Sequence, residues 1–78
     1  MKRGNVTLSN GSVYKDMILI ETSKELEDYL KASTNPHKAF VKKDWRNIVN
    51  NEKQTLVIYP ANGISYFCVP KQTKIEYL

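Results

Sequence analysis

Seventy-eight residues with a net charge of +4 and an apolar share of 41 % can fill one small core and no more. A chain of this length buries only roughly 60 % of the surface its unfolded form exposes, which leaves little stability to spare. The longest apolar run, Met17-Ile18-Leu19-Ile20, falls far short of the about 20 residues a membrane span needs, and the lone cysteine, Cys68, excludes an internal disulfide.

The basic start Met1-Lys2-Arg3 leads into no apolar h-region, so no secretory signal is expected. With one cysteine the chain suits a reducing, cytoplasmic setting, where the sequons Asn5-Val6-Thr7 and Asn10-Gly11-Ser12 are chance matches. Lys, Asn, Ile and Tyr, all with AT-rich codons, are abundant, which points to a bacterial or phage genome. The positive balance favours acidic or polyanionic partners.

The chain opens with Val6 and Leu8 alternating with polar residues, then Asn10-Gly11, then a β-branched and apolar run to Ile20. Asn-Gly suits a type I′ hairpin turn, which needs positive φ at both central residues. Two antiparallel strands are expected, about 4–9 and 12–21, with Val6, Leu8, Ile18 and Ile20 facing one core. Thr22 and Glu25 then form a capping box, and Leu26, Tyr29 and Leu30 follow at helical spacing. That predicts a helix over 23–32, ended by Ser33-Thr34-Asn35-Pro36.

Lys38 to Lys43 reads as a short strand around Ala39-Phe40-Val41. Trp45, Ile48 and Val49 suit a single helical turn, and Asn50 to Lys53 a reverse turn. Gln54 to Tyr59 is rich in strand formers. Pro60-Ala61-Asn62-Gly63 breaks that strand, Ile64 to Val69 forms another, and Thr73 to Tyr77 reads as an edge strand open to pairing with a second copy. The expected fold is mainly β with one α-helix, a small five- to six-stranded barrel spanning 1–78.

Val6 to Gly11 followed by Tyr14-Lys15-Asp16-Met17-Ile18 resembles the first motif of Sm-like proteins, including their bacterial Hfq branch. Val57-Ile58-Tyr59, a tight turn, and Ile64-Ser65 with the apolar strand to Pro70 resemble the second. The resemblance implies a small barrel that assembles edge to edge. An SH3-like barrel gives almost the same pattern, and both stay open. The glycine at the family's strand bend falls at Asp16, and the segment that reads RNA falls at Tyr59-Pro60-Ala61, without its polar contacts, so no RNA site is carried over.

No residue constellation suggests catalysis or a bound cofactor. His37, the only histidine, has no second ligand at metal spacing. Cys68 sits on an apolar strand without a base, and Glu25, Glu27 and Asp28 lie on a polar helix face. The chain is therefore read as non-enzymatic. One segment rises above background: Lys38, Lys42, Lys43, Arg46 and Lys53, interleaved with Phe40 and Trp45. Cations can neutralise phosphates and rings can stack bases. The same residues also serve as a solvated face over a packed Phe40 and Trp45. The reading is a small binding module acting on a protein partner, with a nucleic acid as the alternative. Burial of Trp45 decides between them, because a buried ring cannot stack.

Overall fold

The computed structural model describes residues 1–32, 36–47, 49, 53–60 and 65–78. The elements are β1 (Arg3–Thr7), β2 (Val13–Ile20), α1 (Ser23–Ala32), α2 (Lys38–Asn47), β3 (Gln54–Ile58), β4 (Tyr66–Pro70) and β5 (Lys74–Tyr77). The strands form one antiparallel sheet in the order β4-β3-β2-β1-β5.

This corrects the expected barrel with one helix. Among the described residues no ladder joins β4 to β5, so the sheet is open, and two α-helices are present. The outer strands are nevertheless drawn together at one end. Lys71-Gln72-Thr73 links them through a turn in which Thr73 N–H donates to the Pro70 carbonyl at 3.0 Å. Four residue steps reach at most about 14 Å, whereas the edges of a flat five-stranded sheet lie about 19 Å apart. The sheet is therefore strongly curled.

The β1–β2 hairpin differs in detail from the expected type I′ turn. Gly11 N–H donates to the Leu8 carbonyl at 3.0 Å and Leu8 N–H to the Ser12 carbonyl at 2.8 Å. Gly11 has a φ of 90°, while Asn10 is not among the residues with positive φ. The loop is thus a three-residue one that ends on a glycine in the left-handed region. Asn10 braces it by accepting from Ser12 N–H at 2.9 Å. A Cβ at Gly11 would meet nothing within 4 Å, so the cost of Gly11→Val is backbone strain alone. Thermal melts are expected to show a loss of more than ~1 kcal/mol. An unchanged melt would reject the loop assignment.

β2 carries a bulge. Gly4 pairs with Met17 and Val6 with Tyr14, so Asn5 faces both Lys15 and Asp16. Asp16 takes a φ of 56°, the conformation a bulge glycine usually supplies. The bulge leaves its N–H without a ladder partner, and Asn5 Oδ1 accepts it at 2.9 Å. Arg3 grips the carboxylate with two hydrogen bonds of 2.9 and 2.7 Å. These bonds hold the Asp16 carboxyl below its ordinary pKa.

An extra residue shifts the alternation of side chains by one. That overturns the expectation that Val6, Leu8, Ile18 and Ile20 share a face. Val6 and Leu8 pack with Met17, Leu19, Val57 and Val69 on one side of the sheet. Ile18 and Ile20 pack with Leu56, Ile58 and the helices on the other. The curl and the helices together bury both faces. Gly4 sits where β1, β2 and β5 crowd: a Cβ there would lie 2.9 Å from both the Glu76 carbonyl oxygen and Leu19 Cδ1.

α1 has the expected bounds. Thr22 Oγ1 accepts Glu25 N–H at 3.2 Å and donates to the Glu25 carboxylate at 3.0 Å. Leu26 and Tyr29 enter the core. α2 replaces the expected strand at 38–43. Ala39-Phe40-Val41 is too short an alternation to compete with Val41, Trp45 and Val49, which repeat every four residues and are all buried. Lys38, Ala39, Lys42, Lys43 and Arg46 in the same segment favour helix. Ile48, most of the turn expected at 50–53 and most of that expected at 60–63 lie outside the described residues.

Candidate functional site

The residues singled out around α2 do not form one surface. Lys42, Lys43 and Arg46 are exposed on the outer face of α2, and Lys38 is half-buried at its first residue. Lys53 is exposed at the entry to β3. Trp45 points the other way and is only 6 % exposed, packed among Val41, Val49 and the helix-facing side of the sheet. The burial of Trp45 removes the ring that was to stack bases.

Phe40 takes the outward position instead, 61 % exposed. Spacings of three and four residues place side chains next to each other on a helix. Phe40, Lys43 and Arg46 therefore make one row, with Lys42 beside Arg46. Among the described residues no ion pair joins Lys42, Lys43 or Arg46 to an acid. The acid within the helix, Asp44, is turned inward and accepts the Tyr66 hydroxyl at 2.6 Å. Reading 38–47 with helical period would have revealed the Phe40–Trp45 exchange, since Phe40 lies off the Val41–Trp45 line.

The inward groups are chemically quiet. Burial, with the Asp44 hydrogen bond and charge, pushes the Tyr66 hydroxyl up to about 12. Burial, then the charge of Asp44, pushes the Cys68 thiol up, which favours the unreactive thiol over the thiolate. Among the described residues no three His, Cys, Asp or Glu side chains gather as a metal site, and no helix is long and apolar enough to cross a membrane.

The second surface is the open side of the curled sheet. A groove of about 630 Å³ runs along β4 at Phe67 to Pro70, with Thr7, Leu8 and Lys74 on its other wall. The ladder fixes which backbone groups face it. Tyr59 N–H donates to the Ser65 carbonyl and Lys71 N–H to the Lys53 carbonyl. Hydrogen-bonded pairs alternate in an antiparallel ladder, so Phe67 and Val69 bond inward to β3. Tyr66 and Cys68 turn their N–H and C=O groups outward. Pro70, which has no N–H, ends this edge, as edge prolines do. Leu78 N–H donates to the Arg3 carbonyl, so by the same alternation Lys74 and Glu76 bond inward to β1 and the outer edge of β5 presents the backbone of Ile75 and Tyr77. Its Tyr77 hydroxyl donates to Glu21 at 3.0 Å, and Lys2 Nζ stands 5.7 Å from the Tyr77 ring.

No family model, no curated protein and no solved structure matches this chain.

Proposed function

We propose that the protein is a small binding module without catalytic machinery that acts through contact with an acidic protein surface, using the outer face of α2. The observation that carries this reading is the 61 % exposure of Phe40 in a row with Lys43 and Arg46. An exposed aromatic in a row with cations gives a contact an apolar centre and a charged rim, the common layout of protein interfaces. The inward turn of Trp45 argues against the alternative, a nucleic-acid surface built on stacking. A lone cysteine and the abundance of Lys, Asn, Ile and Tyr, residues with AT-rich codons, support placing the module in the cytoplasm of a bacterium or its phage.

Phe40→Ser separates these readings without disturbing the core. Its folding stability is expected to stay within the ~0.5 kcal/mol of an ordinary surface change, while partner affinity falls by about 2 kcal/mol or more, as for a central aromatic contact. The check is affinity capture from the native host with wild type and Phe40→Ser, each with and without nuclease. A partner that survives nuclease and is lost on Phe40→Ser supports the proposal. Material lost on nuclease treatment would replace it with the nucleic-acid reading.

A further inference from the structure

We propose that the open edge of β4 accepts an extended peptide segment as a sixth strand, with an acidic group of the peptide held at Lys74. The inference is independent of the α2 surface. Its basis is the pair of backbone N–H and C=O groups at Tyr66 and at Cys68, which face away from β3 at strand spacing. Extended segments bind such edges through main-chain hydrogen bonds, and pockets for alternate side chains select the sequence.

The groove supplies those pockets. Leu8, Phe67 and Val69 give it apolar walls, and its volume of about 630 Å³ lies within the roughly 300–1,000 Å³ of ligand-sized sites. That holds a few residues of chain rather than a domain face. Apolar peptide side chains at alternate positions fit against Phe67 and Val69. The lining includes the cation Lys74 and, among the described residues, no acid, so a carboxylate on the occupant is matched and a cation is repelled. Pro70 sets the length of the site, because pairing cannot run past a residue without an N–H. A second copy is the weaker occupant. The edge it would offer, β5, is only four residues long, and its outward-facing Tyr77 is engaged with Glu21 and Lys2.

The test pans a library of random dodecapeptides on the full chain and follows the best binder by amide hydrogen exchange. Enriched sequences are expected to alternate apolar and polar residues and to include Asp or Glu. In the complex the Tyr66 and Cys68 amides should exchange at least about tenfold more slowly. The Phe67 and Val69 amides, already bonded to β3, should be slow in both states. N-methylating one alternate set of peptide amides should abolish binding, while methylating the other set leaves it intact. Lys74→Glu should weaken the acidic binder about tenfold at unchanged melting temperature, and Phe40→Ser should leave it unaffected. The proposal is overturned if no sequence is enriched, or if binders leave the Tyr66 and Cys68 exchange unaltered. It is also overturned if those amides are already slow in the free chain and the solution mass rises with concentration, which would assign the edge to a second copy.

Discussion

Trp45→Ala is expected to cost about 3–5 kcal/mol of folding stability, the range for deleting a buried aromatic. Trp45 is 6 % exposed and joins α2 to Ile18, Ile20, Leu56 and Ile58 through one continuous cluster. A chain of this length has roughly 4–12 kcal/mol in total, so the variant loses a large share and a population of it unfolds near physiological temperature. Urea titration of wild type, Trp45→Ala and Phe40→Ala gives the comparison. The two residues are five apart on one helix, yet Phe40→Ala should move the midpoint little. Trp45 is the single tryptophan, so the blue-shifted emission of a dry indole reports the same placement in the wild type. A Trp45→Ala midpoint matching wild type would mean that the ring does not serve the core.

Leu19→Ala and Ile20→Ala are each expected to cost about 2–5 kcal/mol. The pair is informative because adjacent strand residues point to opposite faces. On a sheet with one wet face, one of the two changes would be nearly neutral. Here Leu19 is 0 % and Ile20 1 % exposed. Leu19 lies against Val6, Met17 and Val57 inside the curl, and Ile20 against Leu26 and Tyr29 under the helices. Parallel thermal melts of the two variants decide the point. A neutral Leu19→Ala would mean that the inside of the curl is solvated.

The parts of this fold legible in the sequence are those written in short-range chemistry. Asn10-Gly11 marks the hairpin, and Thr22 with Glu25 marks the start of α1 to the residue. Positive φ and an unsatisfied helix N–H are problems that neighbouring side chains solve. α2 is masked in the sequence because Phe40 and Val41 favour strands locally, and the four-residue repeat that overrides them extends to Val49. The open sheet could not be read at all. It depends on β5 pairing with β1, some seventy residues away, rather than folding back on its neighbour β4. The bulge was hidden for another reason: an aspartate occupies a position where glycine is the usual signal. At α2 the three cations were legible as a group, but which ring accompanied them was a matter of helical phase.

Asp16 bends β2 as a single added residue. Removing it would leave an unbroken ladder from Thr7 to Arg3 with every side chain on its present face, so neither hydrophobic pattern nor pairing calls for it. What calls for it is length. The three-residue tether between β4 and β5 cannot reach across an unbent sheet, and a bulge bends the strand that carries it. The bend at this one residue thus answers to geometry rather than to apolar content. The two bonds from Arg3 and the one from Asn5 are the latch that keeps the bend shut.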